Sequence, residues 1–212
     1  MSILIVFSLL LVHMAKIVSA APLPELCADM CALVGGAQFQ TLVRRSRSLT
    51  EKILIAIPDA HKTSVYAEML KLDSSENAQL GTMASMINFP AVPELNWERA
   101  SLESSLIHTY ERLQLDQALL NAVLTRLENT HGVADLTNNV RDLSFQISKM
   151  LRALPTDYVV QMTPSPVNLL LSGDFEVQVA THLTLLQLRS LGQDIRHFLR
   201  NLDSEPDSHL LA

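Results

Sequence analysis

Apolar residues recur at three- and four-residue spacing along four stretches of this 212-residue chain. In 37–57 one helical face takes Phe39, Leu42, Val43, Ser46, Leu49, Thr50, Ile53 and Ile57. In 97–128 the stripe is Leu102, Leu106, Tyr110, Leu113, Leu120, Val123, Leu124 and Leu127. Leu136, Val140, Leu143, Ile147, Leu151 and Leu154 form it in 134–154, and Val177, Ala180, Leu188, Leu191, Ile195, Phe198 and Leu202 in 174–202. These patterns predict four amphipathic helices, over about 37–57, 97–128, 134–154 and 174–202. Proline placement agrees. Proline removes a backbone donor and clashes with the preceding turn, and the long proline-free windows are 25–57, 94–154 and 167–205. Asn129-Thr130-His131-Gly132 reads as a helix stop that divides the middle window. Asp135 and Asp174 are the expected N-caps of the third and fourth helices. No alternating strand pattern lies between the stripes, so the predicted fold class is all-α.

Connection lengths then constrain topology. The second and third helices are joined by a handful of residues, which makes them antiparallel neighbours. About 39 residues (58–96) separate the first two helices and about 19 (155–173) the last two, whereas two to eight residues suffice between adjacent bundle helices. Two long crossovers around a short middle turn predict an up-up-down-down four-helix bundle, with 21–212 as its single domain.

The N-terminus carries a different signal. Ile3–Val12 is a nearly unbroken apolar run, too short to span a bilayer, and Val18-Ser19-Ala20 is a small-x-small cleavage site. Residues 1–20 therefore read as a secretory signal peptide and the product as a secreted, extracellular protein. Lys16 after the run, with no basic residue before it, departs from the usual charge pattern of such peptides. Cleavage removes Lys16 and no acid, moving the net charge from −6 to −7. No later apolar stretch reaches membrane-helix length, so no membrane insertion is expected. An acidic chain without a dense Lys/Arg tract does not point to nucleic acid.

Catalytic and cofactor signatures are absent from the sequence: no H-E-x-x-H pair, no G-x-S-x-G elbow, no P-loop and no dinucleotide fingerprint. The chain is thus expected to be no enzyme and to hold no cofactor. His182, set among apolar residues, reads as a hydrogen-bonded structural histidine. The two cysteines, Cys27 and Cys31, can pair locally, stay free or bond between chains, and a local disulfide is the favoured reading. With Asp29 they supply too few ligands for a metal, so no metal site is expected. What remains is surface. At 100° per residue, Phe145 lies opposite the stripe of the third helix, ringed by Asn138, Arg141, Asp142, Lys149 and Arg152. It is either an apolar anchor inside a polar rim or a ring lying beneath a crossover. The matching outer face of the first helix carries Arg44, Ser48 and Glu51, flanked by Arg45, Arg47 and Lys52.

Several short motifs resemble one family. Val179-Ala180-Thr181-His182-Leu183 and Ile195-Arg196-His197-Phe198-Leu199 are similar to the last helix of the interleukin-6 superfamily of class I helical cytokines. Leu80-Gly81 with Ile87-Asn88-Phe89-Pro90-Ala91 resembles the first crossover of its granulocyte colony-stimulating factor and myelomonocytic growth factor branch. Leu49-Thr50-Glu51-Lys52-Ile53 and Val140-Arg141-Asp142-Leu143 look like parts of its first and third helices. The resemblance implies a monomeric ligand that cross-links class I cytokine receptors in a 2:2 complex and drives kinase and STAT signalling. Its main receptor contact is implied to be the outer faces of the first and third helices, with Asp142 as the acid. The receptor-binding set is therefore Arg44, Ser48, Glu51, Asn138, Arg141, Asp142, Phe145 and Lys149. A second contact is implied near the start of the fourth helix, where Val179, Leu186 and Arg189 are either exposed or, the favoured reading, covered by a crossover. The family usually closes its first crossover with disulfides, and this chain has no cysteine after position 31. Interleukin-6-like and ciliary-neurotrophic-like factors share the expected fold. An apolipoprotein-like lipid carrier is the alternative of another class, but the chain lacks the internal repeats and the flanking lysines of such proteins.

Overall fold

A computed structural model describes residues 32–74, 80–92, 95–97, 99–155, 157–160 and 166–203, which divide between two compact units, 1–36 and 37–212. Of the first unit only 32–36 are described, and 32–35 are helical. Residues 1–20, Cys27 and Cys31 lie outside the described residues. The second unit is all-helical, with no strand among its described residues.

Helix α1 (Ala37–Ser64) starts where the sequence predicts but runs a further two turns, through Pro58. Pro58 is exposed, and the stripe continues beyond it into buried Ala60, His61 and Ser64. Burial of that last stretch outweighs the missing donor. The Thr63 and Ser64 hydroxyls bond back to carbonyls one turn earlier, at Asp59 and Ala60. Because proline in a helix interior costs about 3 kcal/mol relative to alanine, Pro58→Ala is expected to stabilise the fold by about 1–3 kcal/mol. Urea unfolding measures this, and an unchanged or lowered midpoint contradicts it.

Helix α2 (Gly81–Met86) is a short helix that the stripes did not predict, inside the first crossover. Leu80 and Ile87, on either side of it, are buried. Asn88, at φ 55°, ends it in the left-handed conformation that asparagine tolerates. The Phe89 N–H donates to the Ala84 carbonyl and the Asn88 N–H to that of Ser85, a Schellman ending. The two crossovers meet here: the Leu170 N–H donates to the Ile87 carbonyl, and Asn88 Nδ2 to that of Asn168, both at 2.9 Å.

Helix α3 (Leu102–Leu124) is shorter than the predicted 97–128. The Ser101 hydroxyl accepts from the Ser104 N–H and fixes its start. Helix α4 (His131–Ala153) begins three residues before the predicted 134, so Asp135 is not its cap; Thr130 holds that position without a side-chain bond. Helix α5 (Asp174–Leu202) has the predicted bounds, but Gly173 is the N-cap. Asp174 and Glu176 instead sit in its first turn, where the helix dipole favours acids.

Helix α1 packs against α4 and α5, and α3 packs against the same two. The ends that meet are specific. Gln40 Nε2 near the start of α1 donates to the Leu202 carbonyl at the end of α5 (2.8 Å), and Arg47 pairs with Asp203. At the other end of α1, His61 meets His182 near the start of α5. Gly132, in the first turn of α4, sits against Ala60. Arg126, just past α3, bonds the Leu171 carbonyl just before α5.

All six predicted stripe residues of α4 are buried. On α1, Leu42 and Leu49 are only half-buried; on α3 so are Leu102, Leu124 and Leu127, and on α5 so are Phe198 and Leu202. The α3 stripe omitted Leu119 and Asp116, which are fully buried.

Candidate functional site

Phe145 projects from the outer side of α4 and is 42% exposed. The ring is open to solvent rather than lying beneath a described crossover residue. Among the described residues the groove beside it, about 360 Å³, is lined by α3 and α4: Tyr110, Gln114 and Gln117 face Arg141, Asp142, Ser144, Phe145 and Ser148. The ring is held in a polar frame. Lys149 Nζ lies 4.3 Å from its centroid, one helical turn on, a cation–π contact that fixes both side chains. Gln114 Nε2 donates to Ser144 Oγ at 2.7 Å across the groove, and the Ser148 hydroxyl donates to the Phe145 carbonyl. Arg141 and Asp142 form a loose pair at 3.8 Å with both side chains exposed. Such a pair adds little stability and leaves both groups available to a partner. Asn138 is exposed on the same side.

Arg44, Ser48 and Glu51 are all exposed on α1. Counting equal helical rises from the Ala60–Gly132 contact brings Ser48 level with Ser144 and Glu51 level with Arg141. The eight predicted residues thus fall on two helices that pack against each other. Sequence reasoning missed Ile55, which is 74% exposed on this side of α1. It lies at Ser48's helical angle within 20°, but the run Ile53-Leu54-Ile55-Ala56-Ile57 is too uniformly apolar to reveal a face.

For the second contact, the favoured reading of Val179, Leu186 and Arg189, cover by a crossover, matches the structure. Val179 is buried, at 1% exposure, Leu186 is half-buried, and Arg189 bonds Asp73 and the Leu72 carbonyl, both at 2.6 Å. The first crossover therefore occupies this side of α5. Gln178 anchors it further, its Oε1 accepting from the Tyr66 and Ala67 N–H groups. His182 is fully buried and hydrogen-bonded, His61 Nε2 and His182 Nδ1 lying 2.9 Å apart.

A buried acid also escaped the sequence reading. Asp116 sits in the α3–α5 contact and accepts from Gln187 Nε2 at 2.6 Å. Burial pushes its pKa up to about 7 against the opposing pull of Arg112 and that hydrogen bond. Its spacing from Leu113 and Leu120 was the available signal, since position 116 falls on the stripe. Among the described residues no three His, Cys, Asp or Glu side chains come together to hold a metal ion, and no helix is long and apolar enough to cross a membrane.

Comparison of the chain with protein-family models, with curated proteins and with solved structures finds no match.

Proposed function

We propose that this chain is a secreted helical cytokine that binds and cross-links a class I cytokine receptor through the outer faces of α1 and α4. The observation that carries the reading is the pairing of helix ends. The end of α1 meets the starts of α4 and α5, the end of α3 meets the start of α5, and a short turn joins α3 to α4. Each of these four packed pairs then runs antiparallel, so α1 and α3 share one direction and α4 and α5 the other. This arrangement supports the up-up-down-down bundle whose two long crossovers suit this class of ligand. The apolar run and cleavage site at 1–20 support secretion, and the motifs of α1, α4 and α5 support the granulocyte colony-stimulating factor branch.

In this reading Phe145 is the apolar anchor, ringed by Asn138, Arg141, Asp142 and Lys149, with Arg44, Ser48 and Glu51 completing the rim on α1. Such an arrangement concentrates binding energy in a desolvated centre, and the surrounding polar groups set orientation. The ligand carries no catalytic step; it brings two receptors together in a 2:2 complex, and kinase and STAT signalling in myeloid cells follows. The test is to apply the secreted protein to cells expressing the matching species' granulocyte colony-stimulating factor receptor and read STAT phosphorylation. A response supports the branch. A response only on cells carrying the shared interleukin-6-type receptor moves the chain to that branch. Silence on both, with helix gained on lipid vesicles, replaces this reading with the lipid carrier.

A further inference from the structure

The charge of this chain is not evenly spread. Helices α1 and α4 hold eight Lys and Arg against four Asp and Glu, a net +4, so the rest of an overall −6 chain carries −10. Within those helices five of the eight cations gather at one end. Arg44, Arg45 and Arg47 lie in the first half of α1, and Lys149 and Arg152 near the end of α4. The end of α5, with Arg200, reaches the same place through the Gln40–Leu202 bond and the Arg47–Asp203 pair. Arg44, Arg45, Arg152 and Arg200 are exposed, and Arg47 and Lys149 half-exposed.

Helix electrostatics account for part of this pattern only. Cations at the ends of α4 and α5 complement the helix dipole, but the dipole gives no support to three arginines in the first half of α1. We propose that this basic end binds a sulfated polysaccharide, a linear polyanion whose sulfates pair with the guanidinium groups. Val43-Arg44-Arg45-Ser46-Arg47-Ser48 is a short arginine-rich stretch of the kind that forms such patches, and arginine pairs with planar arrays of anionic oxygens through two donors at once. The cations spread over three helices, a surface an extended chain can follow. Among the described residues Phe145 borders the patch, its ring against Lys149, one ring where single-stranded nucleic acid stacks successive bases on several. Ile55, the apolar anchor on α1, lies further along that helix, and Phe145 stands at the edge of the patch beside Lys149. The inference does not depend on which receptor the chain engages. It has one consequence for the proposed receptor face: a polysaccharide on Arg44 and Lys149 covers part of it, so the two ligands compete.

The test is retention of the full secreted protein on heparin resin, with titration of a heparin dodecasaccharide at physiological salt. The protein is expected to be retained despite its acidic net charge and to elute only as added salt reverses counterion release. Arg44→Gln with Arg45→Gln is expected to weaken dodecasaccharide binding about tenfold or more. Lys62→Gln with Arg126→Gln, the same change in net charge at the opposite end, is expected to leave it unchanged. All four positions are exposed, and a thermal melt of each variant confirms folding. Passage of the native protein through the resin at physiological salt, or equal weakening by both pairs, overturns the inference. Equally tight binding of a twelve-nucleotide single strand overturns the sulfate assignment.

Discussion

Replacing His182 by alanine is expected to destabilise the fold by about 3 kcal/mol and to flatten its response to acid. His182 has no exposed surface, and its ring Nδ1 shares a hydrogen bond with His61 Nε2 at 2.9 Å. Alanine opens a cavity and leaves a polar atom of buried His61 with no partner. The acid response has a definite sign. Burial, then the charges of His61 and Arg189, push the His182 pKa down to about 4; burial, then Arg189, lowers that of His61. Both values lie below the unfolded value near 6.5. The pair therefore contributes its full stability above pH 6.5 and loses it as pH falls toward 4. Asp116 acts in the opposite direction, because its raised value removes stability as pH rises from about 4 through 7. The difference between native protein and variant isolates the histidine contribution. Urea unfolding at pH 7.5 and pH 5 measures it, and a gap between native and variant that stays constant across the two pH values contradicts this account.

Gly132→Val is the second large effect, expected to cost about 3 kcal/mol through overpacking. A Cβ at Gly132 would lie 2.9 Å from the Ala60 Cα and 3.3 Å from Thr63 Oγ1. Backbone cannot swing aside, so α1 and α4 must separate at the end where their packing begins. Gly192 is an instructive contrast. A Cβ there would also fall short, at 2.8 Å, but against Leu54 Cδ2, the far end of a flexible side chain. Helix propensity favours alanine over glycine by about 0.5–1 kcal/mol, so Gly192→Ala is expected to change stability by less than about 1 kcal/mol. Denaturation of both variants is the check. Equal losses would mean that the close approach of the two backbones is not what Gly132 provides.

Gly132 also shows what the sequence hid. In the chain it reads as part of a helix stop, yet it lies inside α4 and serves a contact some seventy residues away. The α4 stripe was legible because most of its other face is polar, although Val133 and Met150, also buried, lay off it. On α3 the buried positions include Ser105, Thr109 and Asp116, so a stripe drawn from apolar residues alone missed part of the packed face. Pro58 misled in the other direction: a proline is a local cost, and the buried residues that follow it outweigh that cost only in the folded molecule. Phe145 was found because an aromatic ring among charges stands out against a polar face. The side of α5 that carries Val179 was read as covered by a crossover, but which crossover residues cover it shows only in the folded molecule.

The most direct test of the central claim compares the native protein with Asp142→Ala, Phe145→Ala on cells expressing the granulocyte colony-stimulating factor receptor, with STAT phosphorylation as the readout. Both side chains are exposed and neither supports the core, so the variant is expected to melt as the native protein does. Full signalling is expected from the native protein, and from the variant a loss of about three orders of magnitude in potency, the scale of two hot-spot truncations of about 2 kcal/mol each. Native-level signalling from the variant would contradict the assignment of the α1 and α4 faces as the receptor contact.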